Sequence, residues 1–296
     1  MRSLCSFGDC RYIHRIVVSL ISILLFFFVT NTNTLISSTS ESDFAEKDES
    51  CMATAAATKD FTRKMLSKTI VLEPISGKHV STIIFSHGLG DTAEGWLDAA
   101  RYWQRKMKDS RFVLPTAPSI PVTLNGGYVM PAWYDLKGLE SRDDESCDGI
   151  DLSSRAIREL IANETKRLKD APRVGRTSVP LVLAGFSQGA ALSLYTGVQM
   201  SADEIAGIVC MSGYLPCYET CLGVTSKDEK RSLPPTLIAH GNADEVVPIK
   251  WAREAHRRME EHFDTKIPMK TYSDLTHSAS IEELDDVATF IEGVLS

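Results

Sequence analysis

Ser187 stands between two glycines in the stretch LAGFSQGAALSLYTG, residues 183 to 197, where an apolar run gives way to small residues. A strand that leads directly into a helix turns sharply, and glycines two residues before and after the serine leave room for neighbouring backbone. Such a turn presents the serine hydroxyl above the sheet as a nucleophile. Because Gly and Ser are common, the G-x-S-x-G match is weak alone and needs a base, an acid and oxyanion donors elsewhere.

A histidine is required as the base, because a serine hydroxyl is a poor nucleophile until an imidazole accepts its proton. His256 and His262 lie in a highly charged helical pattern, WAREAHRRMEEHF, which favours a solvated surface role. His277 lies in the short polar stretch DLTHSAS between the last strand pattern and the last helical pattern. We therefore predict His277 as the base.

The acid that orients the imidazole has several candidates between the serine and the histidine. Asp244 follows the buried strand pattern PTLIAHG in a turn that ends at Pro248, and the adjacent Glu245 is expected to point elsewhere. An Asx turn is the alternative role for this aspartate taken alone. Since the chain order Ser, Asp, His is that of α/β-hydrolases, we predict Asp244 as the acid. Other carboxylates in the interval include Asp203, Glu204, Glu219, Asp228, Glu229 and Asp274.

Acyl transfer also needs two backbone N–H groups that stabilise an oxyanion. Gln188 directly follows the nucleophile and supplies one, and Leu89, framed by glycines in IIFSHGLGDTAEGW, supplies the second. A glycine-rich turn without this role is the alternative. His87 and Asp91 flank the same stretch, but two ligands are too few to indicate a metal, so we predict no metal and no cofactor.

The elements that must position these residues alternate along the chain from residue 69 onward. Seven β-branched runs, several apolar on both faces, are separated by helical patterns such as residues 149–170 and 281–294. This alternation predicts an α/β fold with a mostly parallel central sheet and helices on both faces, whose ligands bind beyond the carboxyl ends of the strands. The runs are TIVLEP, VSTIIFSH, RFVLPTAP, VPLVLAGF, IAGIVCMSG, PTLIAHG and MKTYSDL.

The first 60 residues differ from the rest of the chain. Residues 16–29, IVVSLISILLFFFV, are apolar and follow three arginines, as in a secretory signal, but 14 residues are few for a membrane span. Polar and then acidic residues follow, as in a disordered linker. We predict a signal-like or anchor-like segment with a linker over residues 1–60, and a catalytic domain over 61–296. A cleaved signal, an uncleaved anchor and a shorter product that begins at Met52 all stay open.

Composition narrows the class of protein. The 296 residues carry a formal net charge of −7 with scattered basic residues, which argues against a nucleic-acid surface built on clustered Lys and Arg. The seven cysteines are an odd number without metal-ligand spacing, and they indicate free thiols, with a Cys217–Cys221 bridge as the local alternative.

Five motifs, in the order FSHGLGD, PVTLNGGYVMPAWYD, GFSQGAALSLYTG, HGNADEVVP and THS, resemble the acyl-protein thioesterase and lysophospholipase family of serine hydrolases over residues 68 to 296. The resemblance implies an α/β-hydrolase that cleaves acyl thioesters of S-acylated proteins. Carboxylesterase or lysophospholipase action on oxyesters is the alternative, and a non-catalytic lipid- or protein-binding scaffold is a remote one.

The resemblance also implies roles for single residues and a location. Leu124, Met130 and Trp133 would line the acyl pocket, with a core-packing loop as the alternative for each. Substrates would be S-acylated proteins or lysophospholipids, which implies cytoplasmic action. The apolar residues 16–29 lie outside the resemblance and would associate the chain with a membrane. The same segment favours the secretory pathway as the alternative, since the arginines before it would keep the start of the chain in the cytosol and the domain across the membrane.

Overall fold

The computed structural model describes residues 45–138, 147–168, 178–224 and 232–296. Residues Ala53–Ser296 form one compact unit, which holds every described strand. The apolar segment 16–29 lies outside the described residues. Within the described ranges, no helix is both long and apolar enough to cross a membrane.

Seven of the nine described strands form one sheet. The strands are β1 Ile70–Leu72, β2 Ser81–Ser86, β3 Ser110–Leu114, β4 Ser119–Val122, β5 Tyr128–Pro131, β6 Leu181–Phe186, β7 Gly207–Met211, β8 Thr236–Gly241 and β9 Met269–Tyr272. The order in the sheet is β1-β3-β2-β6-β7-β8-β9, with β1 antiparallel to β3 and every other neighbouring pair parallel. The mostly parallel sheet predicted from the seven apolar runs is confirmed. The carboxyl ends of β2, β6, β8 and β9 therefore lie at the same edge.

Helices cover both faces of this sheet. Alternate residues of a strand belong to different cores: Ile84 and Leu183 pack with the helices that begin at Ile150, Gln188 and Ile249, whereas Ile83 and Val182 pack with those that begin at Leu97 and Ile281. This division explains why the strand patterns are apolar on both faces. The helices are α1 Ala45–Leu66, α2 Leu97–Lys106, α3 Ile150–Arg167, α4 Gln188–Gly197, α5 Tyr218–Val224, α6 Ile249–Phe263 and α7 Ile281–Leu295.

Helix α1 differs from the linker that the sequence predicted up to residue 60. It runs continuously across that boundary, and Phe61 and Met65, four residues apart on one face, are buried in the core that includes Ile84. The acidic composition suggested disorder, but Ala, Glu, Lys and Met are strong helix formers, and the two apolar residues anchor the last turns.

Strands β4 and β5 form a separate antiparallel hairpin that the sequence did not predict. A short 3-10 turn connects the strands and ends at Gly126 and Gly127, whose φ values of 65° and 81° suit glycine. The backbone N–H of Gly90 donates to the Pro131 carbonyl at 2.8 Å. This bond attaches the hairpin to the loop that follows β2.

Cys147, Cys210, Cys217 and Cys221 form no disulfide bond in the described part of the chain. Cys210 and Cys221 are buried, and burial raises the pKa of each thiol to about 12, which leaves both protonated at neutral pH. Cys217 is not bonded to Cys221, so the local bridge considered from the sequence is not formed.

Candidate active site

Ser187 occupies the sharp turn between β6 and α4. Its backbone has φ 54° and ψ −119°, a conformation that L residues adopt rarely and that concentrates at functional sites. A Cβ added at Gly185 would overlap the backbone of Gly189, and a Cβ at Gly189 would overlap the Ser86 carbonyl. Both glycines are therefore needed for the start of α4 to pack against the ends of β6 and β2.

Three predicted side chains meet at the carboxyl edge of the sheet. His277 Nε2 lies 3.0 Å from Ser187 Oγ, and His277 Nδ1 lies 2.8 Å from Asp244 Oδ2. An ionised carboxylate only accepts hydrogen bonds, so Nδ1 carries the proton and donates it. Nε2 is then the lone-pair nitrogen that accepts from the serine hydroxyl. The three groups form one continuous hydrogen-bonded chain.

The carboxylate of Asp244 is fully buried and uses both oxygens. Oδ2 accepts from His277, while Oδ1 accepts from the backbone N–H groups of Val246 and Val247 at 3.0 and 2.8 Å. The Asx turn that was the alternative from sequence is thus present together with the contact to the histidine. Buried His240 donates from Nε2 to the Val247 carbonyl at 2.8 Å, which supports the same turn.

The loops after β8 and β9 hold His277 in place. The backbone N–H of Ala243 donates to the Leu275 carbonyl at 3.1 Å, and the imidazole packs on Phe186 with ring centroids 4.9 Å apart. The competing His256 is engaged elsewhere, because its Nε2 bonds to the carbonyl of Ile267, which follows the end of α6. The alternative acid Glu245 is exposed.

The loop after β2 lies directly against the serine. A Cβ built on Gly88 would be 3.4 Å from Ser187 Cβ. The backbone N–H of Leu89 has no hydrogen-bond partner among the described residues. Gln188 is the first residue of α4, so its N–H has no acceptor within the helix. Both predicted oxyanion donors are therefore available beside the hydroxyl.

The side chain of Gln188 has a separate structural role. Its Oε1 accepts from the Trp133 backbone N–H and its Nε2 donates to the Tyr134 carbonyl, both at 2.9 Å. The first residue of α4 is thereby tied to the segment that follows the β4–β5 hairpin.

The three predicted acyl-pocket residues have different environments. Leu124 is half-buried and Met130 is 7% exposed, and both belong to a small apolar cluster with Leu89 at the hairpin. Trp133 is 0% exposed and donates from Nε1 to the His87 carbonyl at 2.8 Å. Trp133 therefore packs in the core and does not line an open groove, which corrects the prediction for this residue. Apolar character alone did not reveal which way the side chain points.

Glu283 is a buried carboxyl close to the acid. It is 0% exposed, and neither carboxyl oxygen has a hydrogen-bond partner in the described part of the chain. Burial, reinforced by the charges of Asp244 and Asp286, raises the pKa of Glu283 to about 8. The Ser280 backbone N–H opposes this rise without reaching hydrogen-bond geometry. The carboxyl is therefore protonated at neutral pH.

Comparison with known proteins identifies the family to which the chain belongs. The model of the phospholipase/carboxylesterase family matches residues 67–295. The chain belongs to this family. The match confirms the resemblance and the α/β-hydrolase fold inferred from the sequence, and it makes the protein a serine-type hydrolase by family.

Individual relatives are similar over nearly their whole length. Acyl-protein thioesterase 1 homolog 1 of Dictyostelium discoideum is 36% identical over 234 residues, 78% of this chain and 98% of the relative. Acyl-protein thioesterase 1 of Neurospora crassa is 35% identical, with 75% and 89% of the two chains covered. The crystal structure of Zea mays acyl-protein thioesterase 2 matches with TM-score 0.60 and 27% identity, over 77% of this chain and 99% of that chain.

Proposed function

We propose that this protein is a serine hydrolase that cleaves acyl thioesters of S-acylated proteins through an acyl-enzyme intermediate. The observation that carries the proposal is the hydrogen-bonded chain from Ser187 through His277 to Asp244, with two unpartnered backbone N–H groups beside the serine. The names of the similar proteins, acyl-protein thioesterases of a slime mould and of fungi, support the choice of thioester.

The geometry supports a two-step acyl transfer. Ser187 Oγ attacks the thioester carbonyl while His277 Nε2 accepts the hydroxyl proton, and Asp244 stabilises the resulting imidazolium. The Leu89 and Gln188 N–H groups donate to the oxyanion. The C–S bond then breaks, and the thiolate takes the proton from Nε2. Water attacks the acyl-serine with the same base, releases the fatty acid and restores the serine.

Hydrolysis of oxyesters is the second candidate, favoured by the description of the matching family as phospholipase/carboxylesterase. The catalytic groups are the same for both bonds. A thiol has a pKa of about 8.5, far below that of an alcohol, so a thioester requires less protonation of its leaving group by His277. The apolar cluster at the hairpin, at which Leu89 and Leu124 are half-buried, supports a fatty acyl chain as the part of the substrate common to both.

The proposed site of action is the cytoplasm, because S-acyl groups of the substrates that the resemblance implies face the cytosol. Membrane association through residues 16–29 stays a prediction, as does the alternative of secretion.

A matched substrate series tests the proposed activity. The purified full chain is assayed on thioesters and oxyesters with the same acyl groups, and it is labelled with a fluorophosphonate probe. We expect higher kcat/KM on thioesters, and loss of both turnover and labelling in Ser187→Ala, with kcat lowered by several orders of magnitude. Ser273→Ala, an exposed serine in the loop after β9, serves as the control that keeps both. An unlabelled wild-type chain would instead indicate a non-catalytic scaffold.

A further inference from the structure

His87 is a buried histidine at the end of β2 that the hydrolytic steps do not use. It is 1% exposed, yet both ring nitrogens meet backbone groups. Nδ1 lies 2.7 Å from the carbonyl oxygen of Gly88, and Nε2 lies 3.0 Å from the backbone nitrogen of Ala117. The sequence singled out this residue only as an insufficient metal ligand.

The two contacts determine the tautomer of the ring. The backbone N–H of Ala117 is a donor only, so Nε2 must present its lone pair. The single proton of the neutral imidazole is then on Nδ1, which donates to the Gly88 carbonyl. Burial lowers the pKa of His87 to about 4, so the ring stays neutral across the physiological range. In a protonated ring Nε2 would also carry a hydrogen, so two donors, Nε2–H and the Ala117 N–H, would face each other.

The bond from Nδ1 fixes the orientation of one peptide group. The Gly88 carbonyl accepts from His87 and, at 3.2 Å, from the backbone N–H of Asp91. Because a trans peptide is planar and its C=O and N–H point in opposite directions, these bonds turn the Leu89 N–H away from the histidine ring. That N–H is unpartnered among the described residues, and Gly88 lies against Ser187.

Trp133 braces the histidine from its other side. The indole Nε1–H donates to the His87 carbonyl at 2.8 Å, and the two rings lie tilted by 39° with centroids 5.0 Å apart. The ring of His87 is thus held by contacts with Gly88, Ala117 and Trp133.

We infer that His87, as the neutral Nδ1–H tautomer, is a positioning residue that holds the Gly88–Leu89 peptide so that the Leu89 N–H meets the oxyanion of acyl transfer. The inference rests on the proposed function. It assigns to the histidine an effect on the transition state, which is separate from any contribution to stability.

Two substitutions separate these contributions. In His87→Asn, the side-chain amide nitrogen takes the place of Nδ1 and keeps the donor to Gly88, but Ala117 loses its acceptor. In His87→Gln, the amide oxygen takes the place of Nε2 and keeps the acceptor for Ala117, but no donor reaches Gly88. The purified full-length variants are compared in kcat, in KM, in Tm and in affinity for an alkyl trifluoromethyl ketone, whose alkoxide adduct mimics the oxyanion.

We expect His87→Gln to keep a Tm near that of the wild type and an unchanged KM, while kcat and affinity for the ketone fall by about 10- to 100-fold. His87→Asn should show the reverse, a lowered Tm with kcat close to the wild-type value. The inference is overturned if His87→Gln keeps its kcat, or if kcat in both variants falls in step with Tm.

The tautomer has a readout independent of activity. The ¹⁵N chemical shifts of the His87 ring in the full-length protein should show a protonated Nδ1 and an unprotonated Nε2, and the opposite assignment would overturn the inference. Failure of the proposed function can be told apart from failure of this inference. If the proposed function fails, the wild-type chain itself hydrolyses neither thioesters nor oxyesters.

Discussion

At the scale of single residues, one carboxylate both builds a turn and orients the base. Oδ1 of Asp244 satisfies two backbone N–H groups, while Oδ2 accepts from His277. The histidine proton is thereby kept on Nδ1, and Nε2 stays free to accept from the serine. The turn and the chemistry depend on different oxygens of one group, so a substitution can affect one and spare the other.

Asp244→Asn should therefore abolish activity without disrupting the fold. An asparagine keeps an oxygen for the turn but presents N–H to His277 Nδ1, which forces the proton onto Nε2 and prevents it from accepting the serine proton. We expect kcat to fall by about 10⁴-fold with little change in Tm. The exposed neighbour provides the control, because Glu245→Gln should keep wild-type kcat. More than a tenth of wild-type activity in Asp244→Asn would rule out this aspartate as the orienting acid.

At the scale of elements, the β4–β5 hairpin sets the apolar surface beside the oxyanion loop. Its inner residues Leu124 and Met130 pack with Leu89, whereas Tyr128 on the same hairpin is 70% exposed. Each methylene that a groove buries contributes about 0.8 kcal/mol, or about fourfold in kcat/KM. We expect kcat/KM to rise as the acyl chain is lengthened from about two to about eight carbons.

A pair of hairpin variants tests this assignment. Leu124→Trp should fill the proposed acyl groove and flatten the rise with chain length, because the added indole would occupy the volume of the distal methylenes. Tyr128→Ser should leave the slope unchanged for monomeric substrates. A flat series in the wild-type chain would indicate a short-chain carboxylesterase instead.

Helix α7 carries a buried acid, Glu283, which links stability to pH. The pKa of this carboxyl is about 8 in the folded chain and 4.5 as a reference value, so the folded state retains a proton that the unfolded chain releases. The resulting contribution to stability is fully present below pH 4.5 and is lost as pH rises toward 8. The slope from this one group reaches about 1.4 kcal/mol per pH unit.

Glu283→Gln should remove that slope, because the amide is a neutral isostere of the protonated acid. We expect denaturant unfolding to show that the variant gains stability over the wild type as pH increases between these two pKa values. The adjacent exposed Glu282→Gln serves as the control and should follow the wild type. Parallel pH curves for Glu283→Gln and wild type would contradict the burial argument.

The elements differ in how far the sequence predicts them. The inner strands of the central sheet, β2, β3, β6, β7 and β8, are buried along their whole length, and burial on both faces leaves a strong local pattern. The sequence pattern does not predict the hairpin because its strands contain Pro121 and Pro131. Proline in a run argues against a strand and is tolerated only at edges such as these. The place of Trp133 and the bracing of His87 depend on contacts between distant segments, which no local pattern specifies.

At the scale of the whole molecule, the residues that form the active site all belong to the compact unit Ala53–Ser296. A chain that begins at Met52 should therefore retain the kcat/KM and the Tm of the full chain, because the sheet, the hairpin and the last turns of α1 with Phe61 and Met65 are kept. A chain that begins at residue 69 should have a lower Tm, since those two buried side chains leave the core. Loss of activity on removing residues 1–51 would assign that segment a catalytic role.

The location of the domain is testable through one side chain. Asn163 lies in the sequence Asn-Glu-Thr and is exposed on α3, so a domain delivered to the secretory lumen would be glycosylated there. Proposed action on cytosolic S-acyl groups requires that Asn163 stay unmodified. We therefore expect no glycosidase-sensitive mass shift in the full-length protein expressed in cells of its native host. The same catalytic unit placed behind a strong secretory signal should gain the shift, and Asn163→Gln should abolish it, which shows that the site is usable. A shift on the unaltered full-length chain would exclude cytosolic thioester hydrolysis and favour a secreted esterase.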